Sequence, residues 1–346
     1  MVMIRTLAIE TSCDETSIAL LEGKRPLANI ISSQISHNKF GGVVPETASR
    51  EHVRNIMNVT KFAFEKSGLK PDDVDVVAAT YTPGLIGALL VGMNFGKSLA
   101  ATLEKPFVPV NHIHAHVYSV FLEEREPEFP FLSLIVSGGH TLLVLVNDYF
   151  NHRIIGSTID DAAGEAFDKA SKMLGLGYPG GPAIDRIAEM GDENFHKFPI
   201  PEFKNKEEYN FSFSGLKTAL LYYLKNTGYE TMSSQDRGEI TPHIAASFRT
   251  AAVKQLLNNT VRASIDFGIN NIAVCGGVSA NTLLKKEFFK LRKSGYNVFV
   301  PSTEYSTDNA AMIGITAYFS FLKNNRNAFA DSLMVKAEPR LNKVLF

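Results

Sequence analysis

The sequence predicts an α/β fold of two lobes, with the element order βββαβαβα written twice. Two meanders of short apolar segments, beginning near Ile4 and near Phe131, are each followed by alternating helical and strand-like segments. The length of 346 residues also favours two domains, at roughly 150 residues per domain. We therefore predict a first lobe over residues 1–125 and a second over 126–346.

The first lobe starts with strand-like segments on either side of a polar turn at residues 11–15. A helix follows, because Val53, Ile56, Met57 and Phe64 recur at helical spacing. The predicted strands are 4–10, 16–21, 27–35, 74–80 and 107–110, and the later helices are 85–103 and one from His112.

The second lobe repeats this order. Thr141 follows Thr16 by 125 residues, whereas Ile272 follows Val74 by 198, so an insertion of roughly 70 residues lies at about 161–240. The predicted strands are 131–136, 141–146, 152–159, 272–275 and 297–300, with helices around 244–256 and 284–291 and a last helix from Thr307.

Composition limits the partners and the compartment. Lys and Arg number 35 against 36 Asp and Glu, so the net charge of -1 draws in neither nucleic acid nor an anionic membrane, and a polyanion must meet a local patch. Cys13 and Cys275 cannot form a disulfide framework, and both are predicted to be buried. The start carries no secretory signal, and the uncharged run 80–96 is shorter than the ~20 residues of a membrane span. A cytoplasmic protein is expected.

Two turns and one loop carry candidate ligand-binding chemistry. The turn after the first strand offers hydroxyls and carboxylates, among them Asp14, and the equivalent turn holds Gly138 and Gly139, which let backbone approach an anion. Ordinary hairpins use the same residues. The segment 276–281 joins a strand to a helix, as in nucleotide-docking loops, with Asn281 able to bond a base or ribose; the alternative is a helix cap at Ser279.

Three residues suggest a metal site. His112 and His116 are four residues apart, which places them on one face of a helix, whereas His114 points elsewhere. Asp308 opens the last helix as His112 opens its counterpart, so the duplication brings the two together. Two histidines and a carboxylate suit Fe(II) or Zn(II). The alternative role for Asp308 is a carboxylate that complements the helix dipole.

The insertion holds acids and a possible RNA surface. Asp168, on a helix over 161–174, and Asp185, at a helix start, gain a function only if a ribose docks there, and are otherwise surface acids. A basic patch for RNA would use Lys204, Lys206, Lys217, Arg237 and Arg249, with Tyr209, Phe211 or Phe213 for stacking. The alternative is solvated lysines and core aromatics.

Two βββαβαβα halves facing a cleft are typical of the actin, sugar-kinase and Hsp70 (ASKHA) class, in which nucleotide phosphates lie between the two turns. The alternative is two unrelated α/β domains. Over residues 4–320 the chain resembles the bacterial TsaD family of tRNA adenosine threonylcarbamoyltransferase subunits, through the segments 10–16, 112–116, 136–140, 167–169, 175–182, 211–217, 276–281 and 308–312.

The resemblance implies a reaction in which the threonylcarbamoyl group of threonylcarbamoyl-adenylate moves to N6 of the adenosine beside the anticodon, in tRNAs that read codons beginning with A. It implies one divalent metal per chain, with Fe(II) favoured over Zn(II), on His112, His116 and Asp308. The position of Asp14 on the first turn makes it the candidate base that accepts the proton of the attacking amine. Ile135 stands where archaeal and eukaryotic relatives have a tyrosine, so a tyrosine ligand is not available. The implied partners are tRNA, a smaller paralogous subunit and a P-loop ATPase. The implied adenylate contacts are Val136, Ser137, Gly138, Gly139, His140, Asp168, Gly181, Asp185 and Asn281.

Two rival functions stay open at this point. A metalloprotease, a label this family has carried, requires His-Glu-x-x-His, but Ile113 follows His112 and the general base is missing. A non-enzymatic, ATP-gated binding module of the Hsp70 type shares the fold class, and the fold alone does not exclude it.

Overall fold

The computed structural model describes residues 3–34, 42–201, 208–324 and 331–341. The chain forms two compact units. The first contains Met1–Glu126 and Pro301–Phe346, and the second contains Pro127–Val300.

The first unit is built on a mixed sheet of order β3-β2-β1-β4-β5. Leu7, Ile9 and Leu20 pack with Ile56 and Val59 of the first helix, whereas the intervening residues of the strands point to the other face. Because helices cover both faces, the central strand reads as a continuous apolar run. The elements are β1 Arg5–Glu10, β2 Glu15–Glu22, β3 Arg25–Ser33, α1 Pro45–Ser67, β4 Val76–Thr82, α2 Ile86–Thr102, β5 Phe107–Asn111 and α3 His112–Tyr118.

The second unit repeats this sheet. Its order β10-β9-β6-β7-β8 is the first order read from the opposite edge, with an antiparallel meander and two parallel strands. The predicted duplication is confirmed. The elements are β6 Phe131–Val136, β7 Thr141–Asp148, β8 Asn151–Ser157, α4 Ala163–Leu174, α5 Gly180–Ala188, α6 Ser214–Asn226, α7 Ser234–Phe267, β9 Asn271–Cys275, α8 Thr282–Lys290 and β10 Asn297–Phe299.

The last helices, α9 Thr303–Ser306 and α10 Ala310–Lys323, lie in the first unit and not in the predicted second lobe of residues 126–346. The Ala310 amide donates to Ser17 Oγ at 2.9 Å. A Cβ on Gly314 would lie 2.2 Å from Leu21 Cδ1, so this glycine lets α10 pack closely on β2. The helix is buried through most of its length, because it packs on the first sheet against β1 and β2. The predicted cleft between the lobes stays a prediction.

Two further predictions meet the structure here. Both cysteines are free thiols, but only Cys275 is buried, whereas Cys13 is half-buried. Among the described helices, none has the length and apolar character needed to cross a bilayer.

Candidate functional site

The short helix α3 positions two histidines on one face. Asn111 caps it, and its side chain accepts from the amides of Ile113 (2.8 Å) and His114 (3.3 Å). This cap fixes the helix start, so that His112 and His116 follow one turn apart, with side chains that are almost fully buried. Their ring centroids lie 4.6 Å apart.

Asp308 meets both rings. Its Oδ1 lies 3.4 Å from His112 Nε2 and 3.2 Å from His116 Nε2. The helix that follows begins at Ala310, with Asn309 as its cap, and not at Thr307 as predicted. Asp308 therefore lies outside the helix. Because α10 packs on the first sheet, all three side chains belong to the first compact unit.

These three residues fit a divalent metal. One ligand atom from each lies within 4.8 Å of the other two. Both ring nitrogens of His116 are buried, and neither makes a hydrogen bond of good geometry among the described residues, although Asp308 Oδ1 lies 3.2 Å from Nε2. A cation held by His116 Nε2, His112 Nε2 and the Asp308 carboxylate would satisfy one of these nitrogens. His114 is not part of the group.

Glu10 supports His112, a role that no sequence pattern had indicated. Its Oε2 lies 3.1 Å from His112 Nδ1 and accepts from Thr80 Oγ1 at 2.6 Å, while its Oε1 accepts from the Ser12 amide at 2.5 Å. This contact on Nδ1 turns Nε2 of the ring toward Asp308, as carboxylates do behind metal-bound histidines. The available sequence signal was an acid that ends a buried strand.

The electrostatics of the first unit favour a cation at this point. Burial opposes charge on His112, but Asp308 and Glu10 raise its pKa to about 9. Burial also tends to raise the pKa of Glu10, yet the contact with His112 holds it below its ordinary value. Burial, together with Asp308 and Asp14, raises the pKa of Glu15 to about 9. Several carboxyl groups therefore converge around two histidines, an arrangement that a bound divalent cation would stabilise.

We expect Glu10→Gln to weaken metal affinity by about 10- to 100-fold, because the neutral amide no longer polarises and orients His112. Anaerobic titration of the purified protein measures this affinity. Glu22→Gln is the matched control, since that carboxylate pairs with Arg5 on the same sheet. Equal metal affinity in the two variants would contradict a supporting role for Glu10.

The turn that carries Asp14 is held from two sides. His52, on α1, lies with Nδ1 at 2.7 Å from Thr16 Oγ1 and Nε2 at 3.0 Å from the Cys13 carbonyl oxygen. The Leu85 amide donates to the Ser12 carbonyl at 2.8 Å. No sequence pattern pointed to His52, because a histidine within an amphipathic helix has no local mark of a partner. Asp14 and Asp308 both act electrostatically on Glu15. The role of Asp14 as a base stays a prediction.

In the second unit, the turn 137–140 approaches the loop after β9. The Ser137 amide donates to the His140 carbonyl at 2.8 Å, and Gly138 and Gly139 have open space where a side chain would stand. Gly276 has φ +87°, and a Cβ there would lie 2.4 Å from the Val136 carbonyl oxygen. Glycine is required at this crossing, which brings together two of the segments expected to contact the adenylate.

Hydrogen bonds at the starts of helices connect the remaining residues that are expected to contact the adenylate. The Gly180 amide, next to Gly181, donates to Asp168 at 2.7 Å, and the Thr282 amide donates to Asp185 at 2.9 Å. Asn281 Oδ1 caps α8 by accepting from the Leu284 amide at 3.0 Å. Asp185 lies inside α5 and not at its start, because the helix already begins at Gly180. The structure connects these residues through α4, α5 and α8, and their contacts with the adenylate stay predictions.

The prediction of a basic RNA-binding patch in the insertion is wrong for most of the residues assigned to it. Tyr209, Phe211 and Phe213 are buried core residues and offer no stacking surface. Arg249 is buried and binds Asp185 at 2.8 Å, and Lys217 binds Asp161 at 2.8 Å. Arg237 is half-buried, and Lys204 and Lys206 lie outside the described residues.

Comparison with known proteins gives one family. The model of the family described as "TsaD: tRNA N6-adenosine threonylcarbamoyltransferase" matches residues 25–315. A tRNA N6-adenosine threonylcarbamoyltransferase of Thermodesulfovibrio yellowstonii is 50% identical over 318 residues, which cover 92% of this chain and 94% of the relative.

Two solved structures share the fold. HypF of T. kodakarensis has a TM-score of 0.62 at 15% identity and covers 96% of this chain and 50% of its own. The activator of the 2-hydroxyisocaproyl-CoA dehydratase of Clostridium difficile, with bound ADPNP, has a TM-score of 0.52 at 13% identity and covers 94% of this chain and 98% of its own. At such identities the likeness concerns the fold alone, and it confirms the ASKHA class.

The family match over most of the chain, together with half of the residues identical to those of a full-length relative, shows that this chain belongs to the TsaD family of tRNA N6-adenosine threonylcarbamoyltransferases.

Proposed function

We propose that this protein transfers the threonylcarbamoyl group from threonylcarbamoyl-adenylate to N6 of the adenosine beside the anticodon, in tRNAs that read codons beginning with A. AMP is the second product. Membership of the TsaD family is the observation that carries this proposal. The convergence of His112, His116 and Asp308 supports it.

The reaction forms a bond between N6 and the carbamoyl carbon and breaks the anhydride bond between that carbon and the phosphate oxygen. AMP leaves with the bonding electrons, and the amine loses one proton. Because the anhydride is already activated, the protein has mainly to align it with a weakly nucleophilic aromatic amine and to stabilise the developing charge. Asp14, on the first turn, would accept the proton.

Two sets of residues would have different roles in this reaction. In the second unit, the backbone of the turn 137–140 would approach the phosphate without obstruction at Gly138 and Gly139. In the first unit, His112, His116 and Asp308 would hold one divalent metal, Fe(II) in preference to Zn(II). When bound, the metal supplies a positive charge that orients the threonyl carboxylate. Glu10 holds His112 for that purpose.

The proposed partners follow from the chemistry and the family. The tRNA is the acceptor, a smaller paralogous subunit and a P-loop ATPase complete the complex, and a separate synthase makes the adenylate. The sequence has no P-loop motif of its own, since Val91 stands where the first glycine of that motif would precede Gly96 and Lys97. We place the protein in the cytoplasm, where tRNA is modified.

The experiment that tests the function is mass spectrometry of tRNA nucleosides after depletion of the protein. We expect N6-threonylcarbamoyladenosine to disappear and to return when the wild-type chain is restored. An unchanged nucleoside would overturn the proposal. Tight adenylate binding by the complete complex without transfer would favour a binding module instead, and peptide cleavage that persists after removal of trace proteases would favour a protease.

A further inference from the structure

The helix α8 and the single turn after it expose a stripe of basic residues. Lys286, Phe289, Lys290 and Lys293 recur at helical spacing, and all four are exposed, with 37% of Phe289 accessible. Leu283, Leu284 and Phe288 form the opposite, buried face of this element. We call the four exposed residues, with the neighbouring Arg292, the basic stripe.

The charge of this segment is concentrated. Between residues 267 and 303 the sequence has one acid, Glu287, against five basic residues, in a chain whose net charge is -1. Glu287 binds Lys290 at 2.6 Å and so neutralises one of them. The basic stripe therefore has the local excess of positive charge that binding of a polyanion requires in a chain without a global field.

An arginine and an aromatic ring are stacked within the stripe. The guanidinium carbon of Arg292 lies 4.3 Å from the centroid of the Phe289 ring. The Arg292 Nη2 also donates to the Val298 carbonyl at 2.7 Å, which fixes the guanidinium plane. Unpaired RNA bases stack on aromatic rings and on guanidinium planes, so this pair suits a nucleic acid.

The stripe begins beside the expected substrate contacts. Asn281 caps α8, and its neighbour Thr282 binds Asp185. At about 1.5 Å per helical residue, Lys290, the last residue of α8, lies roughly 14 Å along the helix from Asn281. An RNA arm whose phosphates lay on the stripe would therefore have a nucleotide close to the loop 276–281.

We propose that the basic stripe binds the anticodon arm of the tRNA substrate, with Lys286 and Lys293 on phosphates and the Phe289–Arg292 pair under an unpaired base. This inference rests on the proposed transferase function and names the surface that receives its macromolecular substrate.

The test measures tRNA binding by the complete complex across a series of salt concentrations. We expect Lys286→Gln with Lys293→Gln to weaken binding about tenfold and to lower the salt slope by about two, because each lysine that is replaced leaves one phosphate without its cation. Phe289→Ala is expected to weaken binding roughly tenfold while the salt slope stays the same. Binding of AMP should remain as in the wild type in all of them.

Lys225→Gln with Lys254→Gln is the control, because it removes the same charge from exposed positions of the same unit. An equal decrease of affinity in this control, or an unchanged affinity and slope in the stripe variants, overturns the proposal. The proposal is also overturned if a stripe variant assembles only in part but its assembled complex binds tRNA with wild-type affinity and salt slope. The function is judged separately, by formation of the modified nucleoside in the wild type, so that failure of the surface and failure of the function are distinguishable.

Discussion

Replacement of His116 or Asp308 by alanine is expected to remove most of the bound metal. The wild-type protein, loaded anaerobically, should hold about one metal ion per chain, as a three-residue site does. His116 is fully buried and offers one of the three ligand atoms of the cluster, so its removal deletes a ligand from the metal site. Asp308 supplies the carboxylate that both histidine rings face.

Metal content is measured by elemental mass spectrometry beside a thermal unfolding curve of each variant. Asp308→Ala is the cleaner variant, because the residue is outside α10 and its side chain is partly exposed. His114→Ala is the control on the same helix, and it should keep its metal because that residue is not in the cluster. Full occupancy in both His116→Ala and Asp308→Ala would show that the metal is held elsewhere.

The local elements were predictable because each has a period of its own. The strands at residues 4–10 and 131–136 are short apolar runs, and the apolar residues Ile244, Phe248, Ala252 and Leu256 of α7 recur at helical spacing. The repetition of the order βββαβαβα then gave the topology, since a duplicated order implies a duplicated sheet. The matching strand orders of the two sheets confirm that step.

The placement of α10 was not predictable from its pattern. A helix that is buried on nearly all sides has no polar face, so its sequence pattern does not indicate which sheet it covers. The prediction that Asp308 meets His112 and His116 agrees with the structure, but for a different physical reason. The three meet because α10 packs on the first sheet, not because two lobes face each other.

The sequence pattern also could not predict which buried polar residues contact each other. Glu10 and His112 are separated by 102 residues, and His52 and Thr16 by 36, so no local spacing connects them. The run 209–213 shows the opposite problem, because alternating aromatic residues fit a buried face and a stacking surface equally well. Burial decides in favour of the core.

Asp14→Asn is expected to lower kcat for threonylcarbamoyl transfer by about 10²- to 10⁴-fold, the usual contribution of a positioned base. The amide keeps the size of the side chain but cannot accept the proton that N6 loses. Because Asp14 lies on a turn that His52 and Leu85 hold through neighbouring residues, the fold should tolerate the change. The measurement is single-turnover transfer from threonylcarbamoyl-adenylate to unmodified tRNA by the complete complex.

Two readouts separate a base from a residue that merely shapes the site. Metal content and the KM for the adenylate should stay at wild-type values in Asp14→Asn, because neither depends on the proton acceptor. Asp72→Asn, an exposed acid of the same unit, removes the same charge and should transfer normally. If Asp14→Asn transfers at the wild-type rate, the amine loses its proton to another group. If the variant loses its metal as well as its activity, Asp14 shapes the metal centre and is not the base.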